Sequence, residues 1–296
     1  MKSNLKAYFK LHFIIFIWGF TAVLGALIRL DYFTLTWYRM GLASTFLFIY
    51  LIINEKRRKQ LFQFDLKNQF RYIIGGIIIA LHWIAFFYAI KASNVSITLI
   101  TMSSGAFFTS LIEPLFFKRK IYFYEILFGL LILLGFIVLI KVENIAYTGV
   151  YFALIAAFLS GLFSVMNGIY IRTKDAYTLS FYQLFYGFLF LSFTLAVKGD
   201  LMQMPHPTRS DWIYLFILAS ICTAYAFSES IHLMKYLSPY TVMISINLEP
   251  VYGIILAIIV LGNQEKMSER FYIGGLIILT IIIINAMIKY KAKKNP

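Results

Sequence analysis

Three ionisable side chains stand inside apolar runs that should exclude them, and a fourth polar group forms a stripe. Glu249 lies at the centre of the run 239–262, with Pro250 after it and Ser245 one turn before it on the same helical face. A carboxyl group there can bind a substrate ammonium or a coupling proton. It can also be a packing carboxylate beside a kink, because a proline inside a helix leaves the carbonyl of Ile246 without its donor. His82 is central in the run 70–90, next to Trp83 and with Ala85 and Phe86 on its face. An imidazole so placed can line a cavity or accept a proton, and aromatic neighbours suit a cation or a ring-bearing solute. Arg39 enters the run 33–53 to a depth of about 9 Å at helical rise, from which it can snorkel to the surface or meet a carboxylate. Cys222, Tyr225, Glu229 and His232 follow one another at helical spacing. Glu229-Ser230-Ile231-His232 has the Glu-x-x-His spacing of di-iron bundles, but such a site needs a second copy and further carboxylates, so no metal and no cofactor is expected. Glu229 and His232, near the end of their run, are gate candidates with Arg39. Cys222 is the single cysteine, which excludes an internal disulfide.

These side chains need elements that a bilayer solvates. Of 296 residues, 61% are hydrophobic and 14% charged, with mean hydropathy +0.79, and a soluble globular domain does not have that composition. Ten apolar runs occur, at roughly 8–28, 33–53, 70–90, 95–117, 122–140, 147–170, 178–197, 212–232, 239–262 and 270–288. Stretches such as Leu130-Leu131-Ile132-Leu133-Leu134 lack the alternation of barrel strands, so the expected fold is all-α and integral to a membrane, with ten transmembrane helices. The first run starts with Lys2, Lys6 and Lys10 but is too long for a signal h-region, and is expected to remain as a span.

A net charge of +14 would suggest nucleic acid in a soluble chain, but here the charges alternate with the runs. Of the 27 Lys and Arg, 19 fall on the side of the amino terminus and seven on the other, with Arg39 inside a span. The positive-inside bias then predicts a multi-pass protein of the cell (inner) membrane with both termini cytoplasmic. Attraction to the lipid bilayer's anionic headgroups is secondary, and no nucleic-acid partner is expected.

The chain also repeats itself. Thr34-Leu35-Thr36-Trp37-Tyr38-Arg39 returns as Thr178-Leu179-Ser180-Phe181-Tyr182-Gln183, and Gly129-Leu130-Leu131-Ile132 as Gly275-Leu276-Ile277-Ile278. Two halves, 1–143 and 144–296, of five helices each must enter the membrane from opposite sides, so the repeats are expected to be inverted. Inverted repeats can exchange inward-open and outward-open shapes about a midplane site, which argues for transport.

Trp18-Gly19, Tyr38-Arg39, the run His82-Trp83-Ile84-Ala85-Phe86-Phe87-Tyr88-Ala89-Ile90 and Leu248-Glu249-Pro250-Val251 together resemble the EamA family of the drug/metabolite transporter (DMT) superfamily, over nearly the whole chain. The resemblance implies a secondary transporter, often an exporter of amino acids or other metabolites or of drug-like solutes. It implies a central cavity lined chiefly by the first, third, fourth, sixth, eighth and ninth helices. The chain departs from the family at Ser104-Gly105-Ala106-Phe107, where many relatives carry a proline, and at Ser160-Gly161, where a tryptophan is common.

The hydroxyls of the fourth run (Thr98, Thr101, Ser103, Ser104) and the small residues Ala156, Ser160, Ser164 and Gly168 of the sixth fit close helix packing, or a wet cavity as the alternative. Asn94-Val95-Ser96 matches a glycosylation sequon crowded against the membrane and is read as chance. No Walker loop occurs, so ATP does not drive this chain alone. The expected function is secondary active or facilitative transport of a small organic solute by alternating access, not an enzyme's. Trp18, His82, Trp83, Ser104, Ser164, Asn167, Tyr225 and Glu249 are expected to contact substrate, and Arg39, Glu229 and His232 to gate or couple. Proton coupling is an open expectation, as is the choice between monomer and homodimer. The competing class is a polytopic membrane enzyme acting on a lipid or lipid-linked substrate, which requires clustered acids or a nucleophile and base at one membrane face.

Overall fold

A computed structural model of the chain describes residues 2–63, 65–118 and 147–294, with Leu127, Leu130, Leu131, Leu134 and Gly135 between them. The first half contributes α1 (Lys2–Leu27), α2 (Tyr32–Ile53), α3 (Glu55–Leu61), α4 (Leu66–Ala92), α5 (Val95–Met102) and α6 (Gly105–Phe117). The second contributes α7 (Tyr147–Tyr170), α8 (Ala176–Lys198), α9 (Arg209–Ala219), α10 (Ala226–Leu233), α11 (Pro239–Ile246), α12 (Glu249–Leu261) and α13 (Glu269–Lys294). A π-helical turn, Ser220–Tyr225, joins α9 to α10. No strand occurs among the described residues. Among the described residues, eight stretches are long and apolar enough to cross a membrane: Leu5–Leu27, α2, α4, Val95–Phe117, α7, α8, Arg209–Leu233 and Pro239–Glu265. They match eight of the ten expected spans. The tenth falls within α13, and the fifth, 122–140, lies outside the described residues except for the five named above.

The duplication is visible in the helix ends. Asp31 caps α2 by accepting from the backbone N–H of Phe33 at 2.9 Å and Thr34 at 3.1 Å. Asp175, 144 positions on, caps α8 in the same way through Tyr177 and Thr178, each at 3.0 Å. Such caps satisfy donors that the first turn of a helix leaves open. Asn94 and Ser238 repeat the pattern, accepting from Ile97 N and Thr241 N. Asn94, the residue of the sequon, is thus part of a helix start.

The fourth and ninth spans are both broken, and every boundary of α11 and α12 lies 144 positions after its counterpart in α5 and α6. In the second half Pro250 accounts for the break, since it has no N–H for the carbonyl of Ile246. The first half has no proline there. Instead the Ser104 hydroxyl donates to Thr101 O at 2.8 Å, the Ser103 hydroxyl to Leu99 O at 3.4 Å, and Gly105 follows. Serines that bond back to the preceding turn, next to a glycine, weaken a helix enough to bend or break it.

Contacts sort the helix ends onto two faces. Lys10 pairs with Glu229, Arg57 with Asp175 at 3.7 Å, and the Tyr182 hydroxyl donates to Leu61 O at 2.5 Å on what we call the basic face. On the opposite face Arg29 N donates to Asp211 Oδ1 at 2.9 Å, and Lys91 Nζ to Ile28 O at 2.5 Å. Glu265 accepts there from Val95 N at 3.0 Å and Ser96 N at 3.1 Å. The counterpart helices α2 and α8 run antiparallel: Arg57, just past the end of α2, meets Asp175 at the start of α8, and Lys198 at the end of α8 lies 5.8 Å over the Phe33 ring at the start of α2.

Among the described residues, packing joins the halves more than it consolidates either one. α4 lies against α7 and α8, α1 against α12, α2 against α8, and α6 against α7. At the α4–α8 crossing a Cβ on Gly76 would sit 2.4 Å from Gln183 O, and one on Gly187 would sit 2.1 Å from Met40 Cε and 2.8 Å from Gly76 O. Only glycine permits this approach, which in lipid supplies the van der Waals contact that drives helix association. Met40, which Gly187 faces, is fully buried, as are Ile79 of α4 and Leu184 of α8.

Candidate functional site

A cavity with about 80 Å³ of free space lies at the level of the two helix breaks, room for a handful of waters. Trp18 and Thr21 reach it from α1, Arg39 from α2, His82, Trp83 and Phe86 from α4, and Met102 from the end of α5. Ser160, Phe163, Ser164 and Asn167 come from α7. The π turn and α10 contribute Cys222, Phe227, Ser230 and Ile231, with Met234 just beyond, and the ninth span contributes Val242, Met243, Ile246, Asn247 and Glu249. Trp83 and Phe227, counterparts 144 apart, touch edge to face at 6.1 Å, so the two halves meet at the cavity wall.

Arg39 is 2% exposed and does not snorkel; it makes no ion pair among the described residues either. Its Nε donates to Thr223 Oγ1 at 2.8 Å, and its Cζ lies 3.8 Å from the centroid of the Trp83 ring. The Thr223 hydroxyl in turn donates to Leu218 O at 2.7 Å, five residues back, as π geometry allows. The same turn presents Cys222 O to the Trp18 indole N–H at 3.1 Å. A π turn is a one-residue insertion in a helix and recurs at functional sites because it frees such groups.

His82 Nδ1 lies 2.7 Å from Ala156 O. A carbonyl can only accept, so Nδ1 carries the proton and Nε2 is the acceptor of the neutral ring. The Phe86 and Phe163 rings flank the imidazole at 6.2 and 5.2 Å. Asn167 accepts from Gln183 Nε2 at 2.7 Å. Asn167 Nδ2, Asn247 Nδ2, Ser164 Oγ and Arg39 Nη1 are buried without a hydrogen-bond partner among the described residues. Glu249, half-buried, lines the cavity from the first turn of α12.

Of the residues expected to contact substrate, the cavity brings together Trp18, His82, Trp83, Ser164, Asn167 and Glu249, and adds Arg39. Ser104 is fully buried with its hydroxyl turned onto its own backbone, and it does not line the cavity. Tyr225 is 39% exposed and does not line it. The stripe from Cys222 to His232 is not one face, because the π turn shifts the register between Cys222 and Glu229. Glu229 and His232 belong instead to a second cluster at the basic face. There Glu229 accepts from the Tyr177 hydroxyl and pairs with Lys10, Arg57 lies 3.8 Å over the Tyr177 ring, and His232 stands beside Tyr177 and Tyr236. The small-residue stripe of α7 divides: Ser160 and Ser164 face the cavity, Ala156 serves His82, and Gly168 packs on Pro239. Thr223 and Asn247 were not anticipated, although a lone asparagine two residues before Glu249-Pro250 was a readable signal.

The comparisons agree with this geometry. A family model described as the EamA-like transporter family matches residues 5–141 and again 147–287. Among curated proteins none matches. The chain is similar to the solved crystal structure of a protein 16% identical to it, with a TM-score of 0.67 over 99% of each chain, a likeness of fold.

Proposed function

Because the chain belongs to the EamA-like transporter family, we propose that it is a secondary transporter, active or facilitative, moving a small organic solute across a membrane by alternating access. The observation that carries this reading is a cavity, largely apolar with a few buried polar and ionisable groups, set between two helix breaks at corresponding positions of the two halves. Broken helices at a midplane site are how repeat-built transporters expose unmet backbone and polar groups to a solute. The complete architecture in this reading is ten helices in two inverted five-helix repeats, 1–143 and 144–296, and the antiparallel run of α2 and α8 supports it. The excess of cations on the basic face supports a cell-membrane location with both termini in the cytoplasm.

In this scheme Trp18, Trp83, Ser164 and Asn167 shape the pocket, while His82 and Glu249 meet the solute or a coupling proton. The Lys10–Glu229–Tyr177 cluster closes the basic face, and Asp211 and Glu265 tie the opposite one. A cycle must release one set while keeping the other.

The test is counterflow in sealed proteoliposomes with a panel of amino acids, polyamines, sugars and aromatic cations, chosen first by thermal shift. A carried solute should accumulate unchanged, and Glu249→Gln should abolish flux or its dependence on pH. Counterflow and pH profile that are identical in the variant would remove Glu249 from the pathway. Conversion of a lipid or lipid-linked substrate in detergent, without accumulation, would favour the enzyme reading instead.

A further inference from the structure

Resting on the transporter reading above, the charges of the cavity narrow what the carried solute must contain. Arg39 is buried in the membrane-spanning core, where an unpaired cation is costly. Yet only its Nε has a hydrogen-bond acceptor among the described residues, Nη1 is buried with none, and no salt bridge neutralises the group. The guanidinium is nonetheless held in place, with its Cζ over the Trp83 ring and its Nε bonded to Thr223 of the π turn. Around the same cavity Ser164 Oγ, Asn167 Nδ2 and Asn247 Nδ2 are buried and unpartnered as well. Apart from the Glu249 carboxyl, the unpartnered groups of this wall, the Asn167 and Asn247 amide nitrogens and the Thr21 and Ser164 hydroxyls, can all donate, and they stand beside a cationic fork.

We propose that Arg39 anchors a carboxylate of the transported solute. A carboxylate brings to the fork the acceptors that Glu249, beyond ion-pair distance of Arg39, does not supply, and a guanidinium binds two such oxygens more strongly than it binds a neutral acceptor. The choice of a carboxylate also gives Glu249 a part. The two groups feel each other across one cavity but lie beyond ion-pair distance, so a solute carboxylate that takes Arg39 leaves Glu249 to be met by an ammonium on the same solute or by a proton. The charged or titratable side chains facing Glu249 across the cavity are Arg39 from α2, His82 from α4 and Cys222 from the π turn; α1, α5, α7, α10 and α11 bring none among the lining residues.

The decisive comparison uses the purified full chain and needs no variant: small carboxylic acids and amino acids of graded side chain, each beside its methyl ester, in thermal shift and then counterflow. At least one acid should bind and exchange where its ester does not. Arg39→Gln should weaken that binding roughly 10–100-fold, the loss expected for hydrogen bonds to a charged group, with Arg39→Lys in between. A strict need for the amine would give Glu249 an ammonium, whereas flux of a plain acid with lumenal acidification would give it a proton, and either supports the anchor. Esters that bind as tightly as acids, or carboxylate binding that survives Arg39→Gln, overturn it. If a neutral or cationic solute is carried while no acid binds, the anchor fails and the transporter reading stands; if labelled compounds are altered without crossing, both fail.

Discussion

At the scale of single residues, the chain separates two jobs that its sequence interleaves. Arg39, His82 and Glu249 serve the cavity, while Glu229 and His232, on the same span as Cys222, serve a contact near the surface. That contact is testable through the only thiol in the chain, because Cys222 lines the cavity and is almost fully buried. Glu229→Gln removes the charge that Lys10 meets and weakens the bond from Tyr177. The expected result is several-fold faster maleimide labelling of Cys222 in membranes, and an unchanged rate would leave Glu229 without a gating part. The polar residues that meet in the cavity were legible because a charged or amide side chain in an apolar run has few places to go. Tyr225 and Ser104 were not placed correctly for local reasons. The π turn rotates the first by one residue, and the backbone takes the hydroxyl of the second.

Among the elements, the breaks matter more than the regular helices. Proline foretold the interruption at Ile246, but its counterpart at Met102 depends on two serines and a glycine, which also occur in intact helices. The π turn left no sequence signal at all, since the i→i+5 pattern is imposed by packing around Arg39 and Trp18. Deleting Ala224, one residue of that turn, should restore plain α geometry. It would turn Glu229 and His232 by about 100° relative to Cys222, separating Glu229 from Lys10 and Thr223 from Arg39. Flux should be lost although the helical content measured by circular dichroism is kept; retained flux would mean that the turn is ornamental.

For the molecule as a whole, hydropathy and charge order made the spans legible, and a constant offset made the two halves legible, although the partner of each helix did not follow from either. Lipid-facing and helix-facing residues have the same composition, and glycine pairs such as Gly76–Gly187 at α4 and α8 or Gly19–Gly253 at α1 and α12 can be told from other glycines only once the helices are packed. Because the described helices of each half pack chiefly on those of the other, residues 1–143 and 144–296 produced as separate chains should each be unstable alone. Co-expression should restore binding and flux together, and a stable, monodisperse single half would contradict this account.

The Gly76–Gly187 crossing also has a consequence for how the protein is made. α4 leaves the ribosome about 110 residues before its partner, an interval of roughly 5–20 s at ordinary rates of synthesis. Throughout that time its narrow glycine face borders lipid or the insertion machinery instead of α8. Early insertion therefore yields half a structure that waits, and cellular quality control must tolerate it long enough for the second half to arrive.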